Sequence, residues 1–340
     1  MSIAKRKSDH LRIALNRNVR FRAKTSGFEA YDFVHCALPE MDADEVSTQT
    51  VFMGKTLSVP LMVSPMTGGF VGALAVNRTL AEICETERIA LAVGSQRQIM
   101  ENSDHLETFR IVRKKAPNAV IIGNIGASQA VGVDDLSPFQ RMVDLIEADA
   151  MAVHLNPLQE LLQPEGHARF RGVLKSIERL VKGLGVPVVV KETGCGISES
   201  VARMLASVGV EWIDVAGSGG TSWAGIESYR GRKNPLAEQF WDWGIPTADA
   251  LEAVRCVPGI RLIASGGIDC GITAAKAVAL GADLCGAALP FLRKLAAEQK
   301  RGVTVMLREW REQLKTVLFL TGSKTVADLK RPGVLKKLRP

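Results

Sequence analysis

Short runs of apolar residues recur along the chain, and each run is followed by glycine or by polar residues. Their length and their content of Val, Ile, Leu and Ala are typical of strands that are buried on both faces of a parallel sheet. The runs are 61–64, 90–93, 119–122, 150–153, 186–190, 212–215, 261–264 and 283–286. The pattern therefore predicts eight short parallel strands.

Stretches with apolar residues at helical spacing lie between these runs, at 77–87, 198–208, 273–280 and 290–300. In the second stretch, Ser198 is a candidate helix N-cap. Eight strands that alternate with helices predict an α/β fold, a (β/α)8 TIM barrel whose site lies at the carboxyl ends of the strands. A doubly wound open sheet is the alternative, although the chain has no early GxGxxG fingerprint.

The positions of the runs also predict the domain organisation. Residues 1–58 form an N-terminal extension, residues 59–300 form the barrel, and residues 301–340 form a C-terminal helix and a basic tail of the same domain. The longest interval without a strand, 217–259, contains three Trp residues and one Tyr. An insertion of that length after the sixth strand predicts a lid or a subunit contact.

The net charge of +7 is concentrated at the two ends of the chain. Residues 1–24 carry eight Lys or Arg and one Asp, and residues 323–340 carry six Lys or Arg and one Asp. A nucleic-acid-binding protein would more often spread its basic residues over a folded face, interleaved with aromatic residues. Basic terminal arms favour a small polyanion or a neighbouring subunit instead. We expect residues 330–340 to be a solvated tail.

The sequence also favours a cytoplasmic protein without membrane or nucleic-acid partners. No apolar run reaches the roughly 18 residues that span a bilayer, and the first twenty residues contain no apolar segment of a secretory signal. The Arg-rich start is superficially similar to an organelle transit peptide, but residues 6–10 belong to a motif described below. Six scattered cysteines without a CxxC pair predict reduced thiols.

The strongest chemical signal is the heptapeptide HLNPLQE at 154–160, directly after the fourth run. Pro157 ends the strand because it has no amide hydrogen for the sheet. The heptapeptide carries four polar side chains, those of His154, Asn156, Gln159 and Glu160, which favours a ligand site over the alternative of a polar turn. The segments directly after the other runs, which we call strand exits, are also polar or Gly-rich. They are PMTGG at 65–69, GSQR at 94–97, GNIG at 123–126, KETG at 191–194, AGSGGT at 216–221, SGG at 265–267 and GAA at 286–288.

The last three exits are rich in glycine and alanine, which let a flat cofactor and a phosphate group approach the backbone. A phosphate site built from the last loops is common in this barrel. Lys191 ends the fifth run and is expected at the barrel mouth. It is either a charge-stabilising group beside an electron-rich ring or a Schiff-base nucleophile, and an ion pair with Glu192 is the structural alternative.

These motifs, spread over most of the chain, resemble those of the type 2 isopentenyl-diphosphate isomerases, which are flavoproteins. The motifs are RKSDH at 6–10, HCALPE at 35–40, MTGG at 66–69, GSQR at 94–97, HLNPLQE at 154–160, QPEG at 163–166, KETGCGIS at 191–198, DVAGSGGTSW at 214–223, WGIPT at 243–247 and SGGI at 265–268. The resemblance implies the isomerisation of isopentenyl diphosphate to dimethylallyl diphosphate in isoprenoid biosynthesis, without net redox change. It also implies FMN in the reduced state, NADPH as reductant, Mg²⁺, and a tetramer or octamer.

The resemblance further implies the site residues. The FMN contacts are Met66, Thr67, Gly68, Ser95, Asn124, Lys191, Thr221, Gly266, Gly267, Ala287 and Ala288. The substrate contacts are Arg6, Lys7, Ser95, Gln96, Arg97, His154, Asn156 and Gln159. Glu160 is the implied metal ligand, and Lys191, His154 and Gln159 are the implied catalytic residues, with the reduced flavin itself as the acid and base. Arginine and lysine suit a diphosphate of about three negative charges, and Mg²⁺ needs only one or two carboxylates beside phosphate oxygens and water.

Three positions depart from the family pattern. Ser47 stands where an Asp is usual, Asp269 where an Arg is frequent, and His167 where an acidic residue is frequent. Asp269 adds negative charge near the expected phosphate end, so FMN affinity is the property that it puts in doubt.

Two rival functions remain. An FMN-dependent 2-hydroxy acid oxidase or dehydrogenase shares this barrel, but that chemistry needs a basic His after the sixth or seventh strand, and neither exit contains one. A flavin-binding barrel that has lost catalysis is the other rival, and Arg97, Gln159 and Glu160 argue against it.

Overall fold

The computed structural model describes residues 3–101, 104–166, 168–230 and 234–338, so His167 lies outside the described residues. In this part of the chain, all eight predicted runs form parallel strands that close into one barrel. The strands are β1 (Leu61–Val63), β2 (Ala90–Ala92), β3 (Ile121–Gly126), β4 (Ala150–His154), β5 (Val188–Lys191), β6 (Trp212–Asp214), β7 (Arg261–Ser265) and β8 (Leu284–Ala287). Each pairs with the next along the chain, and β8 pairs with β1. The TIM-barrel prediction is confirmed, and the doubly wound alternative is wrong.

Strand β3 extends further than its apolar run predicted. Residues 123–126, which we expected beyond the strand, continue the ladder with β4 until Gly126 lies opposite His154. A partner strand along the whole length keeps the segment extended despite its two glycines. This extension carries Asn124 to the barrel mouth inside a strand rather than on a loop.

Helices surround the barrel and cover its mouth. They are α1 (Ile3–Asn16), α2 (Ala73–Glu87), α3 (Gln98–Glu101), α4 (Glu107–Lys115), α5 (Ser137–Leu145), α6 (Pro157–Leu162), α7 (Val173–Gly183), α8 (Glu199–Ser207), α9 (Trp223–Ser228), α10 (Pro235–Gln239), α11 (Thr247–Val254), α12 (Gly271–Ala279) and α13 (Leu289–Leu320). The four predicted helices correspond to α2, α8, α12 and the first part of α13. Ser198 caps α8 as predicted, since its Oγ accepts the Val201 amide at 3.4 Å. Within the described ranges, no helix combines the length and the apolar composition that crossing a bilayer requires.

A hairpin at residues 50–57 of the N-terminal extension closes the end of the barrel opposite the site. Strands Thr50–Phe52 and Lys55–Leu57 form a hairpin, whose turn at Met53 and Gly54 has positive φ at both positions. Phe52 contacts Trp212 edge to face with ring centroids 4.9 Å apart, and both belong to the apolar cluster inside the barrel. The amino-terminal ends of the strands are therefore filled with apolar side chains, and the mouth lies at the carboxyl ends.

The C-terminal segment is not the solvated tail that we expected. Residues Leu335–Lys337 form an antiparallel pair with Tyr31–Phe33 of the extension. The Nζ atom of Lys337 also lies 2.8 Å from a carboxylate oxygen of Glu252. The expectation is wrong for these residues because about three hundred residues separate the two strands, and no local pattern reveals that pairing.

The insertion after β6 lies over the barrel mouth. Ile226 of α9 packs in a cluster with Ile13 of α1 and Leu289 of α13. Ala224 of α9 packs with Leu162 of α6 in a second cluster. These contacts place α1 and α9 side by side above the carboxyl ends of the strands, as a cover for the site.

Candidate active site

A cavity of about 280 Å³ lies at the carboxyl ends of the barrel strands. The exits of all eight strands contribute to its walls, and α1 and α9 contribute from above. Most of the residues that the sequence predicted as site residues line it. They are Arg6, Lys7, Met66, Ser95, Arg97, Asn124, His154, Asn156, Gln159, Glu160, Lys191, Thr221, Gly266, Gly267, Ala287 and Ala288.

Three predicted site residues are not among those that line the cavity: Thr67, Gly68 and Gln96. The side chain of Gln96 is fully buried. Its amide donates to the Met142 carbonyl at 2.9 Å, and its oxygen accepts the Asn124 amide at 3.0 Å. Both polar ends are thus used inside the protein, so Gln96 fixes β3 and we do not retain it as a substrate contact.

Lys7 reaches the cavity from α1 and joins two strand exits. Its Nζ donates to the carbonyl oxygens of Gly68, at 2.8 Å, and Ser95. Burial, together with the nearby charges of Arg6 and Arg97, lowers the pKa of Lys7 to about 7. The loss of hydration and the repulsion among three cations make this wall an attractive position for a polyanion.

The residues after β4 form a compact polar group at the start of α6. The Nδ2 atom of Asn156 lies 3.1 Å from Oε1 of Gln159 and 3.1 Å from Oε1 of Glu160. The Oδ1 atom of Asn156 is buried and has no hydrogen-bond partner among the described residues. Pro157 occupies the first turn of α6, where no amide hydrogen is needed. This short turn aims the amide and carboxylate groups into the cavity together.

His154 ends β4 and lies beside Asn124 of the neighbouring strand. The Nδ1 atom of His154 is 2.7 Å from Oδ1 of Asn124. Burial, together with the charges of Lys191, Lys7 and Arg6, lowers the pKa of His154 to about 3. The imidazole is therefore neutral at physiological pH in the protein without ligands.

Lys191 ends β5 above a buried carboxylate. Its Nζ lies 3.8 Å from Oδ2 of Asp214 and donates to the backbone carbonyl of Glu192. Burial raises the pKa of Glu192 to about 7, and its carboxylate accepts the backbone amides of Thr193 and Gly194. The alternative of a Lys191–Glu192 side-chain pair is therefore wrong, because the adjacent amides occupy the Glu192 carboxylate and Asp214 is the ion-pair partner.

Glycine-rich backbone forms the wall of the cavity at β6, β7 and β8. Gly266 and Gly267 have φ of 98° and 75°, the left-handed region in which side chains are strained. A Cβ on Gly266 would also overlap the Gly217 carbonyl oxygen. This wall therefore needs glycine for two independent reasons, and it presents backbone rather than side chains to a ligand.

A second buried polar cluster links α1 to the cover, and sequence reasoning assigned it no role. The Nε2 atom of His10 lies 2.9 Å from Oε1 of Glu227, and Arg230 donates to the other Glu227 oxygen at 2.7 Å. The His10 ring also contacts Trp223 edge to face at 5.2 Å. Glu227 lies outside the motifs quoted above. The signal in the sequence that could have indicated its role was a charged residue in an otherwise apolar helix.

Comparison with known proteins identifies the family. The model of the FMN-dependent dehydrogenase family matches residues 2–111 and 148–336. An isopentenyl-diphosphate delta-isomerase of Methanothermobacter thermautotrophicus is 46% identical over 98% of this chain and 93% of its own length. The enzyme of the same name from Stutzerimonas stutzeri is 46% identical over 98% of both chains, and the one from a Nostoc species is 43% identical over 98% and 96%. The chain belongs to this FMN-dependent family, among the isopentenyl-diphosphate delta-isomerases. The family prediction is confirmed.

Solved structures support the fold but not a function. A flavocytochrome b2 variant with bound pyruvate matches with a TM-score of 0.70 at 18% identity, over 96% of this chain and 82% of its own. A mandelate oxidase variant that carries an FMN adduct matches with a TM-score of 0.65 at 18% identity, over 93% and 92%. Similarity at this level of identity shows a shared barrel alone.

FMN, the cofactor of this family, fits the cavity in two respects. Ser64 lines the cavity, and its buried Oγ has no partner among the described residues. A buried hydroxyl is normally hydrogen-bonded, so a polar ligand edge beside Ser64 would satisfy it. The wall at Gly266 and Gly267 presents only backbone, which suits the phosphate end of FMN.

Proposed function

We propose that this protein isomerises isopentenyl diphosphate to dimethylallyl diphosphate, with FMN as its cofactor. The observation that carries the proposal is the division of one cavity into two chemically different parts. Arg6, Lys7 and Arg97 make a cationic wall, whereas Gly266 and Gly267 belong to a wall of backbone. Family membership supports the same reaction, since the relatives carry that name.

The cationic wall would hold the diphosphate. Burial depresses the pKa of Lys7 most, and the charges of Arg6 and Arg97 also depress it, so the three groups act within range of one another. Guanidinium groups bind phosphate oxygens through paired hydrogen bonds, and the lysine adds a compact point charge. The five-carbon alkene has no polar handle, and its position would be set by the anchored diphosphate.

Glu160 would bind the divalent metal, for which we propose Mg²⁺. Its carboxylate is buried and lines the cavity, and it acts electrostatically on Arg6 of the cationic wall. Mg²⁺ is commonly held by one or two carboxylates, with phosphate oxygens and waters completing the octahedron. Glu160 and the diphosphate together meet that requirement.

The remaining polar residues would control charge and protons around the alkene. When bound and reduced, FMN supplies an electron-rich ring and a nitrogen that exchanges protons. Lys191, which is buried beside Asp214, would stabilise negative charge next to that ring. His154 would be held by Asn124 with Nε2 toward the ligand, and Gln159 would orient the substrate. Protonation of the alkene would give a carbocation-like state, and the cover formed by α1 and α9 would keep water from it.

The chain's own histidines argue against the 2-hydroxy acid oxidase reading. In the described residues, His10 and His154 are the histidines that line the cavity, and they come from α1 and β4. A base for hydroxy acid oxidation would be needed at the exits of β6 or β7, where Thr221 and Gly266 lie instead. A non-catalytic barrel is disfavoured because Arg97, Gln159 and Glu160 converge on the same cavity.

Three further features belong to the proposal. NADPH would reduce the flavin before turnover. The protein would act in the cytoplasm, where the six free cysteines stay reduced. It would assemble as a homo-oligomer, for which exposed apolar residues such as Val71 and Leu161 provide contact surface.

One anaerobic incubation tests the main proposal. Purified protein is mixed with FMN, NADPH, Mg²⁺ and isopentenyl diphosphate, and the product is followed by proton NMR. We expect dimethylallyl diphosphate to form, and no formation without flavin or without reductant. Reduced flavin bound to the protein without any product would refute the isomerase. Flavin reduction by 2-hydroxy acids in a parallel sample would establish the oxidase instead.

A further inference from the structure

The wall that should receive the cofactor's phosphate contains no positive charge of its own. Phosphate groups in TIM barrels commonly lie at the exits of the seventh and eighth strands. Here those exits run Ser-Gly-Gly-Ile at 265–268 and Gly-Ala-Ala at 286–288. Helix α13 begins directly afterwards, without an acidic residue in its first turn and without a side-chain cap. Backbone amides are thus the donors that this wall supplies.

Asp269 makes this end of the cavity less favourable for an anion. The residue is exposed and lines the cavity, and its Oδ1 accepts a hydrogen bond from Thr273 Oγ1 at 3.2 Å. The described residues place no Lys or Arg within ion-pairing distance of its carboxylate. A phosphate monoester carries a charge of about −1.5 to −2 at pH 7, so a carboxylate beside it is repulsive.

Arg20 lines the same cavity and is held beside the exit of β6. Its backbone forms an antiparallel bridge with Thr221, and the preceding carbonyl, of Val19, accepts the Ser222 amide at 2.8 Å. The Arg20 carbonyl accepts the indole N–H of Trp241 at 2.8 Å. Partners in such a bridge have Cα atoms roughly 5 Å apart. The Arg20 side chain therefore starts next to Thr221, one of the residues expected to contact the flavin.

The Arg20 guanidinium makes no ion pair with the described part of the chain. The other cavity cations already have roles. Arg6, Lys7 and Arg97 form the substrate wall, and Lys191 lies 3.8 Å from a buried carboxylate. Arg20 even faces a like charge, since its proximity contributes, after burial, to the lowered pKa of Arg293. An anion bound beside Arg20 in the cavity would offset that repulsion.

We propose that Arg20 supplies the positive charge for the FMN phosphate in this protein, opposing the repulsion from Asp269. The charge would come from the N-terminal segment rather than from the loop after β7, where this chain has a carboxylate. The inference rests on the proposed FMN-dependent function and concerns the recognition of the cofactor. It makes Arg20 the residue that distinguishes FMN from riboflavin, which lacks the phosphate.

Binding of two flavins separates the phosphate from the ring. The full-length protein is stripped of flavin, and dissociation constants for FMN and for riboflavin are measured by quenching of flavin fluorescence. For Arg20→Gln we expect at least a tenfold weaker affinity for FMN and a change of less than twofold for riboflavin. Asp269→Asn should bind FMN more tightly, with riboflavin unchanged.

Arg22→Gln is the matched control for loss of a charge in the same segment. Arg22 stacks on Trp241 at 3.7 Å, pairs with Glu238 at 2.8 Å and is not among the cavity-lining residues. It should leave the FMN-to-riboflavin ratio unchanged, whereas Arg20→Lys should retain part of the preference. An equal effect of Arg20→Gln on both flavins, or no effect on either, overturns the role of Arg20. If the unaltered protein binds neither flavin, the proposed FMN-dependent function itself has failed.

Discussion

The Nδ1 atom of His154 lies 2.7 Å from Oδ1 of Asn124, and the two residues stand on adjacent parallel strands at the barrel mouth. An amide oxygen can only accept, so Nδ1 carries the hydrogen and Nε2 keeps its lone pair. Burial, together with the charges of Lys191 and Lys7, lowers the pKa of His154 to about 3. The pair therefore fixes a neutral imidazole in one tautomer before any ligand binds.

Asn124→Asp should raise the pKa of His154. A carboxylate at the position of the amide would stabilise the imidazolium, and opposite charges at this distance raise a pKa by about 1–3 units. Histidine ring chemical shifts measured against pH by NMR check the expectation. Asn124→Ser, which adds no charge, is the control and should show no comparable rise. A ring that titrates at the same pH in both proteins would contradict the assigned contact.

Substrate binding should weaken as the pH rises through 7, because Lys7 must be charged to hold the diphosphate. Burial, with Arg6 and Arg97, lowers the pKa of Lys7 to about 7 in the free protein, and a bound anion raises it. Binding is therefore strongest below that pKa and declines above it, by up to about tenfold per pH unit.

Isothermal calorimetry with isopentenyl diphosphate measures this dependence, together with the proton uptake that accompanies it. Lys7→Gln should bind more weakly and lose the Lys7 contribution, so that only the ionisation of the substrate itself remains. Identical pH profiles for the two proteins would show that Lys7 keeps one charge state throughout.

Glu160→Gln should raise the Mg²⁺ concentration needed for half-maximal turnover by about tenfold to a hundredfold, as expected for the loss of one charged ligand. The flavin spectrum should not change, because glutamine has the same shape and can still accept from Asn156. Glu199→Gln is the control, since Glu199 pairs with Arg203 on the exposed surface of α8. Unchanged metal dependence would remove Glu160 as the ligand.

Gly94→Ala should reduce flavin content and destabilise the fold by roughly 1–3 kcal/mol. A Cβ at Gly94 would lie 2.6 Å from the backbone of Thr67, and backbone cannot move aside as a flexible side chain can. The displacement would pass to Met66, which lines the cavity. Flavin absorbance per protein and thermal unfolding measure both effects.

Gly185→Ala is the matched control for this substitution. Apart from the two adjacent residues, no heavy atom of the described residues lies within 4 Å of a Cβ built at Gly185, and the φ of Gly185 is not in the left-handed region. Its stability should stay within about 0.5 kcal/mol of the unaltered protein. Equal losses in both variants would show that the effect is general to glycine replacement and not specific to the wall at Thr67.

Local patterns were sufficient to predict the strands of the barrel. Each strand is buried on both faces, so its sequence is a short apolar run that ends where the chain meets the ligand side. This is why β4 and β5 were placed within one or two residues. The length of β3 was underestimated, because glycines at 123 and 126 weaken the local signal while the pairing with β4 keeps the strand extended.

Side-chain direction at the site was harder to predict. Gln96 belongs to a motif whose neighbours, Ser95 and Arg97, line the cavity, yet its side chain points inward to Met142 and Asn124. Sequence spacing gave no sign of this difference. The partners of this buried amide come from α5 and β3, and their distance along the chain hides them.

By itself, the sequence determined the barrel and the chemical types that gather at the strand exits, since both depend on local periodicity and residue type. The resemblance of its motifs also indicated the family. The tertiary structure decided which distant groups meet: His10 with Glu227, residues 31–33 with 335–337, and Arg20 with the exit of β6. The physical reason is that burial, pKa and ion pairing depend on distances through space. Those distances are set only when the chain folds.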